Sequence, residues 1–168
     1  MIACYPGTFD PITVGHCDII IRAAKKFDKV VVLIMQNPKK HCMFTPEERK
    51  QMIEESIREY HLDNVEVAIG SGLTVKYAKK IGADALIRGI RAVSDYEYEL
   101  QQATANLHLE EDIETLFFIA KPEYSFISSS TIKEIAANDG DISGYIPEGI
   151  RARLIEAIKK QNSGGSAR

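Results

Sequence analysis

This chain of 168 residues lacks paired cysteines, long apolar runs and any excess of basic charge. Its cysteines, Cys4, Cys17 and Cys42, are odd in number and show no CxxC spacing. That usage argues against a disulfide framework and for a reducing compartment, so the cytoplasm is the expected location. The longest apolar run, Val30–Met35, is far too short to span a bilayer. No basic segment followed by an apolar stretch marks a signal peptide, so no membrane role is expected. A formal net charge of -3 argues against a nucleic-acid partner held by general basicity. Positive potential must then be local, at Lys39-Lys40-His41 or at Arg88-Gly89-Ile90-Arg91. His41, His61 and His108 have no ligand-like spacing to one another or to a cysteine, so no protein metal site is expected. The GxxxxGK[ST] pattern is absent, which excludes a P-loop enzyme.

What is present is ordinary for a soluble domain: 45% hydrophobic and 27% charged residues. Apolar runs alternate with helical patterns. Strands are expected at Met1–Cys4, Val30–Met35, Val65–Ile69, Ala85–Ile87 and Thr115–Ala120. Helices are expected over Cys17–Phe27, from the capping box Thr45-Pro46-Glu47-Glu48 toward Tyr60, and over Leu73–Ile81. Three more are expected along Tyr96–Leu107, over Ser129–Ala137, and after Pro147. Repeated strand-then-helix units predict an α/β fold: one doubly wound, Rossmann-like domain over residues 1–160, with a five-stranded parallel sheet and helices on both faces. Residues 161–168 read as a flexible, linker-like tail.

The stretch from Tyr5 to His16 carries the strongest signal. It joins a buried strand to a helix through a loop punctuated by Pro6, Gly7 and Pro11, and His16 falls in the first helical turn. That place in an α/β sheet binds anions, because bare N–H groups and the positive end of the helix dipole converge there. A histidine capping a helix start is the bland alternative. Thr13-Val14-Gly15-His16 matches the [H/T]xGH pattern of nucleotidyltransferases. Gly15 would let a phosphate approach backbone, and His16 would donate to an α-phosphate oxygen. Ile127-Ser128-Ser129-Ser130 opens another helix and predicts a second anion site. The two together suit a triphosphate. Arg88 and Arg91 suit phosphate recognition, with Gly89 expected to turn the backbone between them. Cys17 is not expected to be a nucleophile, since adjacent helical residues point about 100° apart. Gly70-Ser71-Gly72 lacks the third glycine of a dinucleotide fingerprint and reads as a strand-to-helix turn.

Five segments carry a resemblance to bacterial phosphopantetheine adenylyltransferases. They are Tyr5 to His16, Met43-Phe44-Thr45, Leu86 to Ala92, Tyr96-Glu97-Tyr98-Glu99, and Ser125-Phe126-Ile127-Ser128-Ser129-Ser130. The resemblance spans about Ile2 to Lys160. It implies ATP contacts at Thr8, Phe9 and His16, at Gly89, Ile90 and Arg91, at Glu99, and at Tyr124, Ser125, Phe126, Ile127, Ser128, Ser129 and Ser130. It implies contacts to 4′-phosphopantetheine at Thr8, Lys40, Thr74, Arg88, Tyr98 and Asn106. It also implies Mg²⁺ riding on the phosphates, coenzyme A as a feedback ligand in the same site, and a homohexamer. His16, Lys40 and Arg91 are the expected catalytic residues. His16 would meet the α-phosphate, Lys40 the incoming phosphate, and Arg91 with Ser129 and Ser130 the departing pyrophosphate. A nucleotidyltransferase with another acceptor, and a regulatory domain that binds nucleotide without chemistry, stay open on the residues alone.

Overall fold

The computed structural model describes residues 1–36 and 41–164. Five strands, β1 (Ile2–Gly7), β2 (Lys29–Gln36), β3 (Val65–Ser71), β4 (Ala85–Ile90) and β5 (Glu114–Ile119), form one parallel sheet in the order β3-β2-β1-β4-β5. Between them run α1 (Val14–Ala24), α2 (Pro46–Glu59), α3 (Thr74–Lys80) and α4 (Val93–Leu109), and α5 (Ser129–Ala137) and α6 (Glu148–Gly164) follow. The doubly wound expectation is thus met.

Side-chain alternation along the central strands divides the core. Ala3 and Tyr5 of β1 face a large cluster with α1, α2, α5 and α6, while Cys4 faces a smaller one with Val75 and Ala78 of α3. Strands buried on both sides read as continuous apolar runs, which is why β2 was legible. α2 begins as its sequence predicts: Thr45 Oγ1 accepts from the Glu48 amide at 3.2 Å, and Glu48 Oε2 accepts from the Thr45 amide at 2.8 Å. Ile150, Leu154 and Ile158 bury the inner stripe of α6, each contributing about 1.5–3 kcal/mol by area removed from water.

Several boundaries differ from expectation. β1 extends through Tyr5, Pro6 and Gly7, and β4 through Arg88, Gly89 and Ile90, because central parallel strands keep their hydrogen bonds beyond the apolar run. α1 starts at Val14 and stops at Ala24, so Phe27 reaches the core from the turn that follows. A short 3-10 turn at Pro122–Tyr124 was not anticipated. α6 runs past residue 160, so the first part of the expected tail is helical.

The strand order has one decisive consequence. β1 and β4 pair only at Ala3–Ala85 and Cys4–Leu86. Beyond those pairs Tyr5–Gly7 and Ile87–Ile90 diverge, and a crevice opens at the point where the order of the strands reverses. Ligands of open α/β sheets bind at such a point.

Candidate active site

The crevice holds two cavities. The first, about 330 Å³, is lined by the β1 loop, the start of α1, the end of β4 and the start of α5. The second, about 340 Å³, lies between the β1 loop, the start of α3 and the face of α4. They share Pro6, Gly7, Thr8 and Arg88 as a common wall.

His16 lines the first cavity. It both caps the helix and faces the site, so the two readings of this residue combine. Thr13 is the N-cap of α1, and its backbone N–H donates to His16 Nδ1 at 3.1 Å. Thr13 Oγ1 lies 3.0 Å from the same nitrogen. A ring nitrogen that accepts an amide proton carries none itself, so the neutral ring bears its proton on Nε2. The Phe9 ring meets the imidazole edge-on at a centroid distance of 5.1 Å. Burial, and then the charges of Arg91 and Arg88, pull the His16 pKa down to about 4. His16 is therefore a neutral hydrogen-bond donor at physiological pH. Phe9, which holds it, has a left-handed φ of 50°, a conformation unusual for a bulky residue.

The bare amides number fewer than two helix ends suggest. At α1 the Val14 N–H is taken by Tyr145 O at 3.0 Å and the His16 N–H by Thr13 Oγ1 at 3.3 Å, which leaves Gly15. A Cβ on Gly15 would meet Thr13 Oγ1 at 3.5 Å and Tyr124 Cβ at 3.7 Å, both ordinary contacts. Protein packing does not demand glycine there, and its bare face borders the cavity. At α5, Ser128 Oγ accepts from the Thr131 amide at 3.0 Å, so the Ser129 and Ser130 amides stay available. Ser129 Oγ donates to Pro11 O at 2.7 Å. Of the three serine hydroxyls only Ser130 lacks a partner among the described residues. The expected phosphate role thus narrows to the Ser130 side chain and two backbone amides.

The arginines are more constrained than expected. Arg88 donates from Nε and Nη2 to Glu99 at 2.6 and 2.7 Å, and from Nη1 to Pro6 O at 2.9 Å. Of five guanidinium N–H donors these three are engaged and two remain. Both Glu99 oxygens face Arg88, so Glu99 orients that fork at the wall between the cavities. Arg91 pairs with Asp95 at 3.1 Å and donates to Ile127 O at 3.2 Å. Gly89 is not a turn. It lies in β4, and a Cβ there would sit 2.4 Å from Ile19 Cδ1, so the glycine serves close packing of α1 on the sheet.

The remaining expected residues sort cleanly. Thr8, Phe9, Glu99, Tyr124, Ile127 and Ser128 line the first cavity, and Thr8, Thr74, Tyr98 and Asn106 line the second. Ile90 is buried and lines neither. Ser125 turns its hydroxyl to Pro122 O at 2.9 Å, and Phe126 packs edge-on against Tyr145, so both lie outside the cavity walls. Lys40 and Lys39 lie outside the described residues. Burial pushes the Cys17 thiol up to about 12, which removes it as a nucleophile. Sequence reasoning missed Ile19, Ala120 and Gln102 as lining residues. It also missed Arg49, which donates to Thr8 O at 2.7 Å from beneath the loop. A signal for Arg49 did exist: an arginine on the same helical stripe as Met52, Ile53 and Ser56, all buried.

A cleft at the sheet's switch point, walled by helix amides, arginines and a neutral histidine, defines a nucleotide-handling α/β domain. Residues 4–135 match the cytidylyltransferase-like family. A phosphopantetheine adenylyltransferase from Thermotoga neapolitana is 47% identical over 160 residues, covering 95% of this chain and 98% of its own. One from Gloeobacter violaceus is 53% identical over 154 residues, covering 92% and 94%. A Vibrio parahaemolyticus structure, described as a nicotinate-nucleotide adenylyltransferase, superposes with a TM-score of 0.70 at 21% identity, covering 92% of this chain and 97% of that one. At that identity it speaks for the fold alone. This chain belongs to the cytidylyltransferase-like family and, within it, to the phosphopantetheine adenylyltransferases.

Proposed function

We propose that this chain transfers AMP reversibly from ATP to 4′-phosphopantetheine, giving dephospho-coenzyme A and pyrophosphate. The observation that carries the reading is the shared wall. Thr8 and Arg88 border both cavities, so two phosphate-bearing ligands would meet there head to head. ATP fits the first cavity, where Tyr124 offers an aromatic wall for adenine and the Ser129, Ser130 and Gly15 amides face phosphates. The second cavity, with Tyr98, Asn106 and Leu73, suits the longer amide-bearing arm of the acceptor.

The acceptor's phosphate monoester is already largely dianionic at neutral pH and needs no general base. One of its oxygens attacks the α-phosphorus in line, a P–O bond forms, and the bond to the β-phosphate oxygen breaks. The chain supplies position and charge stabilisation. Nε2–H of His16 donates to an α-phosphate oxygen as charge grows there. The two spare N–H groups of Arg88 hold the incoming phosphate, joined by Lys40. Arg91 and the α5 amides receive the pyrophosphate. Among the described residues no three His, Cys, Asp or Glu side chains converge to hold a metal ion. Magnesium would enter with ATP, on its phosphates, as part of the substrate.

The reading extends further. Coenzyme A carries both an adenine nucleotide and a pantetheine arm, which suits it as an end-product ligand of the same crevice. Helix α4 buries none of its side chains and displays Val93, Tyr96, Leu100 and Leu107. That surface suits contact with further copies of the chain; the homohexamer rests on the family resemblance. Among the described residues no helix is long and apolar enough to cross a membrane. The cytoplasm, where ATP is available, is the expected place of work.

Mass analysis of the product from ATP, Mg²⁺ and 4′-phosphopantetheine tests the assignment. Dephospho-coenzyme A supports it. Pyrophosphate release only with a different acceptor, such as nicotinamide mononucleotide, overturns the choice of acceptor, and no release with any acceptor overturns the chemistry.

A further inference from the structure

Resting on that reading, we infer that Asp10 is the positioning residue of the transfer reaction, a carboxylate that never touches substrate but fixes the spacing of the two phosphate sites. Asp10 lines neither cavity and is 5% exposed. Its Oδ1 accepts from the Phe44 amide at 2.9 Å. Its Oδ2 accepts from the Met43 amide at 2.9 Å and from the Lys133 ammonium at 2.8 Å. One side chain therefore ties three elements together: the β1 loop that carries Thr8, the segment leading into α2, and helix α5, which presents the Ser129 and Ser130 amides.

The surrounding contacts make this a clamp on the reacting loop. Behind the common wall, Arg49 holds Thr8 O at 2.7 Å, and Ser129 holds Pro11 O at 2.7 Å. Asp10 lies between these two anchors in sequence. Arg49 is itself 3% exposed and also donates to Thr45 O at 3.3 Å, so the loop is fastened at both ends to elements that flank the crevice. The distance from Thr8 to the α5 amides is the distance from the acceptor side to the departing pyrophosphate. In-line displacement needs that spacing, and a misplacement of about 1 Å can cost roughly 10²-fold in rate.

The chemistry requires a carboxylate. Three donors converge on two oxygens. A carboxamide would accept through one atom and turn its NH₂ toward an amide or an ammonium, which are also donors. Lys133 is the matching cation, and arginine would keep the charge pair where methionine would not. The contacts to ATP from Gly15 and Arg91 do not run through Asp10, and those from Ser130 depend on it only through the placement of α5 by Lys133. Its loss should therefore appear in turnover before binding.

The test compares wild type with Asp10→Asn, Lys133→Met and Lys133→Arg. Steady-state kinetics use ATP and 4′-phosphopantetheine, and calorimetric ATP stoichiometry counts the competent sites. In Asp10→Asn, kcat per competent site should fall about 10²-fold with both KM values within about threefold. Lys133→Met should fall about tenfold, and Lys133→Arg should stay within about threefold of wild type. Unchanged kcat per competent site in Asp10→Asn overturns the inference. So does a loss wholly explained by fewer competent sites, which would mark a merely structural role. If Asp10→Asn does not fold, the Lys133 pair decides, and equal activity of Lys133→Met and wild type overturns it. A wild-type protein that makes no dephospho-coenzyme A sinks the underlying reading and this inference with it. An active wild type with unaffected variants sinks this inference alone.

Discussion

Thr13 and His16 cap each other. The Thr13 amide donates to His16 Nδ1 at 3.1 Å while the His16 amide donates to Thr13 Oγ1 at 3.3 Å. The same contact that starts helix α1 therefore sets the imidazole's tautomer and aims its remaining N–H away from the cap. Removing a donor that acts mainly in the transition state typically costs roughly 10²–10³ in kcat. His16→Ala is expected to lose at least that, with the ATP dissociation constant changed little. Equal losses in binding and turnover, by calorimetry beside kinetics, would make His16 a ground-state contact instead.

The depressed pKa of His16 has a sign that can be checked. Folded, the ring resists protonation down to about pH 4, whereas the unfolded chain takes up a proton near pH 6.5. Between those values the unfolded state binds more protons, so stability is full above about pH 6.5 and declines as pH falls toward 4. The ring borders an open cavity, so the contribution is on the order of 2 kcal/mol after discounting for solvent. Denaturant titrations across that window should show the decline, and His16→Gln should lack this part of it. Across pH 6.5 to 8 the activity of wild type should show no step from this residue.

Gly15 and Gly89 should separate binding from folding. Alanine at 15 meets only ordinary contacts and improves helix propensity, so melting temperature should hold or rise while ATP binding weakens about tenfold or more. Alanine at 89 would drive into Ile19, and a loss of about 1–3 kcal/mol is expected from overpacking. Thermal melts beside ATP calorimetry decide both. A Gly15→Ala protein that binds ATP normally would remove phosphate from that face.

Ser129 and Ser130, adjacent in the chain, should behave oppositely. Ser129→Ala deletes the bond to Pro11 O, with an expected stability cost of about 1 kcal/mol. Ser130→Ala should leave stability unchanged and raise the KM for pyrophosphate in the reverse reaction. The reverse assay and a urea titration on each variant distinguish them.

Glu99→Gln should loosen the fork of Arg88, raising the KM for 4′-phosphopantetheine about tenfold with a smaller change in the KM for ATP. A change confined to ATP would mean that Glu99 acts on the nucleotide alone, from the first cavity that it lines.

The fold was legible because β2, the Thr45 capping box and the repeated strand-then-helix units are local patterns. The strand order was not, since nothing local says that β4 lies beside β1. The crevice depends on that adjacency and on its brevity. Helix-end logic singled out Gly15 and Ser130, which line the same cavity. It could not show that Tyr145 occupies the Val14 amide, or that Ser129 spends its hydroxyl on Pro11, because those partners come from far along the chain. The pairing of Glu99 with Arg88 was hidden for the same reason: sequence spacing alone cannot join a helix carboxylate to an arginine on a strand. Ile90, Ser125 and Phe126 show that membership of a motif does not place each side chain in the cavity.

The bond from Val14 to Tyr145 bears on how the protein comes into being. A ribosome delivers the β1 loop and its helix well ahead of Tyr145, and the carbonyl that fastens that helix emerges only after all five strands of the sheet. A nascent chain therefore holds an unfinished crevice until that residue is made, and competence for ATP should arrive after the sheet rather than with the loop.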